Sequence, residues 1–430
     1  MTINNTQDLF LSKDILPLFD YTLNPDSRSK LEQLLQQPLS SVAEIKDRQA
    51  ILGQIIASKP LWNEYEYRKI EYIDTHRFLS SFPLEDLTQQ DYIRYLFKKR
   101  KRNVLLGEYQ QLIYFLAKIE QQLRDNLNIK AFPKYYQEEI RFILNYLRSF
   151  RSKHYKSKIG KDKFGYKSIQ ELNAIVSKNR KNGDTHAFFE KLTLLEVYIS
   201  LSKGISKHKF HFAEIDDNRS QLLGFYHPLL QAPIKNDIEV ENNVVLLTGA
   251  NMSGKSTLLK ALGLCVYLSH LGLAIPAESG KIPFYGTISV QINDSDDLKN
   301  GYSHFMNEIV KLKDVVVQAE SGKRCFAIFD ELFKGTNHED ALAISIKTIH
   351  GLQKFKSSTF LISTHIAELK SELAQNPISV SPYYIDCEIK AETPIFSYIL
   401  KPGWSNLQIG QLLFKKEGLN DLLSFVRKSK

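Results

Sequence analysis

Apolar residues recur at helical spacing through the first half of the chain and gather into short unbroken runs in the second. Leu31, Leu34, Leu35 and Ile45 form one such series. Leu105, Leu112, Phe115, Leu116 and Ile119 form another, and Ile140, Ile143, Leu144 and Leu147 a third. Steps of three and four residues place these side chains on one helix face, so residues 1 to about 210 are expected to be almost wholly helical. Glycine is scarce there and β-branched runs are few. From about residue 211 the texture changes to Val244–Leu247, Ile288–Ile292, Cys325–Phe329 and Thr359–Ser363, separated by helical stretches. Short apolar runs alternating with helices predict a mostly parallel sheet covered by helices. The boundary is expected within His208–Gly224, where Asp216–Ser220 makes a polar turn. The expected fold is therefore an all-α domain over 1–210 followed by an α/β domain over 211–430. A chain of 430 residues is long enough for two or three domains, each with its own core.

Composition adds a partner class. With 43% hydrophobic and 24% charged residues the chain is globular rather than disordered. Its formal charge of +9 favours a polyanionic partner. Residues 151–210 hold 14 Lys/Arg against 5 Asp/Glu, which accounts for the whole excess. Two basic stretches interrupt the helices, Lys98–Arg102 and Lys153–Lys167. Either could contact phosphates or form a solvated helix face. Tyr155, Phe164 and Tyr166 interleave with the second set of lysines, which leans towards nucleic acid. Cys265, Cys325 and Cys387 lie far apart in apolar runs, so they read as core residues of a protein in a reducing cytoplasm. Met1–Asp14 is polar and contains no signal-peptide core. The most apolar stretch, Val104–Ile119, contains Glu108, Gln110, Gln111 and Lys118, so no membrane span is expected.

The chemistry begins at Gly249, Ala250, Asn251, Met252, Ser253, Gly254, Lys255 and Ser256, a G-x-x-x-x-G-K-S sequence between a strand candidate and a helix candidate opening at Thr257. In that context glycines let the backbone close around phosphates and the helix N-terminus faces negative charge. Lys255 is expected to reach the β- and γ-phosphates, and the Ser256 hydroxyl to ligate Mg²⁺. Asp330 and Glu331 follow the buried run Cys325–Phe329, at the strand end where open α/β sheets place ligands. There Asp330 would hold Mg²⁺ and Glu331 would position the attacking water. Thr364-His365 follows the next run, and His365 could reach a γ-phosphate or the water. Ser303–Glu308, after Asp294–Asp297, reads by itself only as a polar loop entering a helix.

In order, these elements resemble the MutS family of DNA mismatch-repair ATPases. Thr248–Thr257 resembles its T-G-x-N-M-x-G-K-S-T phosphate loop, His227-Pro228 its H-P entry, and Pro276-Ala277 part of its V-P-A segment. Asp296-Asp297 and Ser303-x-Phe305-Met306-x-Glu308 resemble its D-D-L…S-x-F-M-x-E region. Asp330-Glu331 with Gly335-Thr336 resembles D-E…G-T, and Thr364-His365 resembles T-H. The likeness covers about residues 220–415. More weakly, Arg28 to Gln49 resembles the start of the family's helical core. The resemblance implies an ABC-type P-loop NTPase domain behind an all-α lever and core domain. Its site is implied to bind ATP with Mg²⁺ through residues 249–257 and Asp330, with Glu331, His365 and Ser303 catalytic. Ser303 is implied to act across a homodimer, completing the neighbour's site.

The resemblance also implies that the family's mismatch-reading and connector domains are absent here, because the core begins near residue 20. Phe188–Glu190 and Phe212–Glu214 have the spacing of the mismatch probe but read as core. Any DNA clamp must then be short, with the basic region 151–185 its candidate. The base-binding segment resembles Pro233–Asn236, although Ile234 stands where an aromatic would stack. The expected function is an ATP-hydrolysing, dimeric DNA-binding protein that recognises branched or distorted duplex rather than single mispairs. A nucleotide-switched protein scaffold that grips no DNA is the alternative, and RNA or ribosome binding a third.

Overall fold

The computed structural model describes residues 2–3, 6–81, 99–217, 219–249, 253–292, 304–366, 368–375, 378–390, 393–405 and 414–423. The chain divides into two compact units, one of residues 16–37 and 46–208, the other of residues 1–15, 38–45 and 209–430.

The described residues of the first unit form helices, among them α1 (Pro25–Leu35), α2 (Val42–Ala57, from residue 46 onward), α3 (Lys69–Ser81), α4 (Lys99–Asn126), α5 (Lys134–Ser149), α6 (Ser152–Gly160), α7 (Tyr166–Lys181) and α8 (Asp184–His208). Helix α8 is the axis. Leu192, Leu195, Val197, Leu201 and Ile205 are at most 2% exposed, and its neighbours include α1, α3, α5 and α7. A helix apolar around most of its circumference must be enclosed on all sides. Gly204 permits one close approach, since a Cβ there would lie 2.5 Å from the Leu18 carbonyl oxygen.

A carboxyl group is buried inside this unit. Glu196 on α8 is buried, and its carboxylate accepts hydrogen bonds from Tyr65 Oη at 2.7 Å, Tyr67 Oη at 2.8 Å, Ser27 Oγ at 2.8 Å and Asn24 Nδ2 at 2.5 Å. Asn24 also caps α1, its side-chain oxygen accepting from the Ser27 N–H. Burial pushes the Glu196 carboxyl above its ordinary value, and the four donors oppose that shift.

The basic segment lies on α6, α7 and their connection. Lys153, Lys156, Lys161, Lys163 and Lys167 are exposed, whereas Tyr155, Phe164 and Tyr166 are buried. The Tyr155 and Phe164 rings meet edge to face at 6.1 Å, and Tyr155 Oη donates to Glu171. The rings therefore pin the two helices together and offer no stacking face, which corrects the expectation drawn from their interleaving with lysine. Phe188, part of one probe-like triplet, is fully buried, as a core residue should be.

The second unit carries β1 (Thr2–Ile3), β2 (His211–Phe212), β3 (Glu214–Ile215), β4 (Gln221–Phe225), β5 (Asn236–Glu239), β6 (Val244–Thr248), β7 (Ala274–Ile275), β8 (Ser279–Ile282), β9 (Thr287–Gln291), β10 (Cys325–Phe329), β11 (Thr359–Thr364), β12 (Ser381–Lys390) and β13 (Thr393–Pro402). Its main sheet runs β1-β9-β10-β11-β6-β12-β13, parallel except for the antiparallel β12–β13 pair. A four-stranded sheet, β3-β8-β4-β5, and the β2–β7 pair complete it. The helices include α9 (Lys255–His270), α10 (His304–Glu320), α11 (His338–Leu352) and α12 (Leu369–Gln375).

β6, β10 and β11 are buried at every position, as strands covered on both faces must be. Val244, Leu246, Ala327, Phe329, Phe360 and Ile362 pack in one core with Val315, Ala319, Ile349 and Leu352 from α10 and α11. Gly263 lets α9 approach the sheet, since a Cβ there would meet Val290 at 3.1 Å and Ile328 at 3.3 Å. Residues 38–45 join this unit through the Leu39 N–H, which donates to the His270 carbonyl at 2.9 Å. His270 is buried and neutral. Its Nε2 accepts from the Tyr285 N–H at 2.8 Å, which leaves Nδ1 to donate to the Val266 carbonyl at 2.8 Å. Burial pushes this imidazole down to about 4.

Candidate nucleotide site

Strands β6, β11 and β10 are neighbours in the parallel sheet, so their C-terminal ends deliver Gly249, His365 and Asp330-Glu331 to one edge. This is the edge at which an open α/β sheet binds its ligand. Two glycines shape the loop there. Gly249 has φ +147° and Gly254 φ +94°, conformations in which a Cβ is strained. Gly254 occupies the N-cap of α9 and supplies no side-chain cap, so the first N–H groups of the helix face the loop. Ser253 Oγ, on a residue 1% exposed, has no hydrogen-bond partner among the described residues. A buried hydroxyl left so is a group that a phosphate oxygen could satisfy.

Lys255 begins α9 and is 5% exposed. Its ammonium donates to the Gly249 carbonyl at 2.9 Å and lies 3.9 Å from Glu331 Oε1. Burial lowers its pKa, with the Glu331 and Asp330 carboxylates pulling the other way. Ser256 Oγ donates to Asp330 Oδ2 at 2.6 Å. Asp330 Oδ1 accepts from Ser363 Oγ, and the Asp330 N–H donates to the Gln291 carbonyl at 2.9 Å. Glu331 turns the chain through the left-handed region at φ +53°, with its N–H donating to Ser363 Oγ at 2.9 Å. Its carboxylate meets Lys334 at 2.9 Å and His365 Nδ1 at 3.9 Å. Burial raises the Glu331 pKa, but Lys334 foremost, then Lys255 and His365, outweigh it and hold the carboxyl below its ordinary value. Phe333, also left-handed at φ +68°, donates its N–H to Glu308 Oε2 at 2.8 Å and packs on the Phe305 ring of α10.

Gly249, Ser253, Gly254, Lys255, Ser256, Thr257, Asp330, Glu331 and His365 thus share one sheet edge. Ala250, Asn251, Met252, Ser303 and Asp294–Asp297 lie outside the described residues. Among the described residues no three His, Cys, Asp or Glu side chains converge on a metal position. A serine hydroxyl beside one carboxylate is instead the sparse oxygen set that Mg²⁺ takes when substrate phosphates and water supply its remaining ligands.

A pocket of about 360 Å³ adjoins the loop, lined by residues that include Tyr226, His227, Ile234, Asn236, Thr257 and Tyr398. Tyr398 on β13 is half exposed, left-handed at φ +57°, and its ring would lie 3.2 Å from a Cβ at Gly254. Asn236 fixes this bend, donating to the Tyr398 carbonyl at 3.1 Å and accepting from the Leu400 N–H at 2.7 Å. Of the Pro233–Asn236 segment singled out in the sequence, Ile234 and Asn236 line the pocket, whereas Tyr398 was not foreseen. No local motif marks it; only the return of β13 to the loop reveals it.

Comparison with known proteins identifies relatives of the chain. Residues 245–420 match the family MutS domain V. The chain is 26% identical over 275 residues to the DNA mismatch repair protein MutS of Acholeplasma laidlawii, covering 63% of this chain and 32% of that protein. Against MutS of Aquifex pyrophilus it is 26% identical over 310 residues, 68% of this chain and 35% of the relative. Against MutS of Thermus thermophilus it is 33% identical over 181 residues, 41% and 22% respectively. The chain thus spans about a third or less of the length of these relatives. With the domain match over residues 245–420 and these relatives reaching beyond it, the chain is MutS-related.

Proposed function

We propose that this protein binds and hydrolyses ATP at the edge formed by β6, β10 and β11 and couples that cycle to binding DNA. The carrying observation is the pairing of Ser256 Oγ with Asp330 Oδ2 at 2.6 Å beside Lys255 and Glu331, 3.9 Å apart. A bare phosphate cradle needs no such acidic pair, whereas hydrolysis needs a metal carboxylate and a group to orient water. Lys255 and the N–H groups opening α9 bind the phosphates. Ser256 and Asp330 would hold Mg²⁺, which when bound neutralises charge developing on the phosphates. Glu331, held ionised by its cationic neighbours, orients the attacking water, and His365 stands beside it. The base occupies the pocket between Ile234 and Tyr398. Ser303 acts on the nucleotide of a second copy in a homodimer, and the helical unit serves as core and lever.

The exposed lysines of α6, α7 and their connection support DNA as the partner, with the buried rings restricting contact to phosphates. Such a surface reads shape and charge, so branched or distorted duplex is the expected ligand rather than a single mispair. Steady-state ATP hydrolysis with perfect, mismatched and four-way-junction DNA at two salt concentrations tests this. Modulation strongest with the junction and fading with salt is the expected result. Hydrolysis indifferent to every DNA would instead favour a nucleotide-switched protein scaffold. Lys255→Ala with undiminished ATP affinity would refute the nucleotide assignment itself.

A further inference from the structure

We propose that Ser363 is a positioning residue that sets the metal-binding carboxylate and the water-orienting carboxylate together through one hydroxyl, an inference that rests on the ATP site described above. Ser363 is the penultimate residue of β11. The β10–β11 register pairs Phe329 with Ile362, which brings Ser363 across from Asp330. It is fully buried, and both functions of its hydroxyl are committed. Its one proton goes to Asp330 Oδ1, and a lone pair accepts the Glu331 N–H at 2.9 Å. The backbone N–H can only donate, so the hydroxyl accepts there and its own proton is left for Asp330 Oδ1.

Two consequences follow for the site. Asp330 has both oxygens held, Oδ2 by Ser256 at 2.6 Å and Oδ1 by Ser363, so the plane of the carboxylate is fixed before a metal arrives. Glu331 occupies a left-handed conformation that a side chain with a Cβ resists, and the N–H bond to Ser363 holds that turn. The two acidic residues are adjacent in sequence but act on different atoms. A shared hydroxyl keeps their relative aim constant. A hydroxyl present only to satisfy a buried strand end would matter to stability alone, and this difference can be measured.

The test uses the full chain. Binding of a fluorescent ATP analogue is measured with and without Mg²⁺, and hydrolysis is titrated with Mg²⁺, for the wild type, Ser363→Ala and Ser363→Thr. Loss of a group that orients a metal ligand typically weakens metal affinity or activity by about 10–100-fold. Ser363→Ala is therefore expected to raise the half-saturating Mg²⁺ and lower kcat within that range, leaving Mg²⁺-free nucleotide binding unchanged. Ser363→Thr, which keeps the hydroxyl, is expected to restore the Mg²⁺ response. An alanine variant that loses thermal stability but keeps the wild-type Mg²⁺ response and kcat overturns the proposal. So does a threonine variant no better than alanine. Should Ser363→Ala not fold, Ser363→Cys, a weaker donor of similar shape, carries the same comparison. A wild type that binds no ATP refutes the nucleotide reading and this inference with it, whereas an ATP-hydrolysing wild type with an indifferent alanine variant refutes this inference alone.

Discussion

Two carboxylate sites in this molecule show opposite designs. Glu196, inside the helical unit, accepts from two tyrosines, a serine and an asparagine, and burial raises its pKa against those donors. Asp330 and Glu331, at the sheet edge, are held partly by hydroxyls and partly by Lys255, Lys334 and His365. The first site uses neutral donors and is closed. The second is open to solvent through Ser256 and His365. A carboxylate whose bonds are all internal locks a fold, whereas one that faces movable cations is equipped for chemistry.

The contrast breaks first on Glu331. Glu331→Gln is expected to keep ATP binding and lower turnover by about 10²–10⁴-fold, read as steady-state hydrolysis beside nucleotide affinity. Wild-type turnover in that variant would remove Glu331 from the chemistry. Glu196→Ala should leave nucleotide affinity intact but destabilise the helical unit by about 3 kcal/mol in urea unfolding, because it removes four hydrogen bonds and opens a cavity. A change in ATP affinity with stability unaltered would invert the assignment.

Titration sharpens the comparison, because two buried groups respond to pH with opposite sign. His270 in the fold is held at about 4, against an ordinary 6.5, so the unfolded chain binds the extra proton between those values. Its contribution is complete above pH 6.5 and is lost as pH falls towards 4, by about 3 kcal/mol at most. Glu196 is raised in the fold, so it favours the folded state below the ordinary carboxyl range and loses that contribution as pH rises. Unfolding of the two units followed by separate probes from pH 4 to 7 should therefore show opposed slopes, flattened by His270→Gln in one and Glu196→Gln in the other. The smallest effect is expected at the basic surface. Each exposed lysine among 153, 156, 161, 163 and 167 changed to Gln should reduce the salt dependence of DNA binding by roughly one ion, without altering sequence preference. Altered preference would mean that bases, not phosphates, are read there.

What could be read in advance was what is local. The strand Val244–Thr248, the glycine turn and the acidic pair after Cys325–Phe329 are each written within ten residues, so spacing alone exposes them. Tyr155, Phe164 and Tyr166 misled for the same reason: adjacency to lysines in sequence says nothing about which side of a helix a ring occupies. Ser363 depends on the register of β11 against β10, and Tyr398 on the hydrogen bond that ties its carbonyl to the distant Asn236. Ser363 did leave a trace, a hydroxyl closing an otherwise apolar run, the sort of polar residue in a buried strand that asks for a partner. Nothing local marks residues 1–15 or 38–45 as part of the second unit.

The first strand carries a consequence for how the chain is made. Thr2 and Ile3 pair with Thr287 and Ile288, and the Asp8 carboxylate accepts the Ile292 N–H at 2.8 Å. During synthesis these residues have no strand to join until nearly 290 more have been added. The helical unit, contained between residues 16 and 208, is synthesised entirely within that interval. Its folding is a local event, while closure of the parallel sheet waits on a long-range pairing. Vectorial synthesis therefore orders assembly, with the helical unit made before the sheet of the second unit can close.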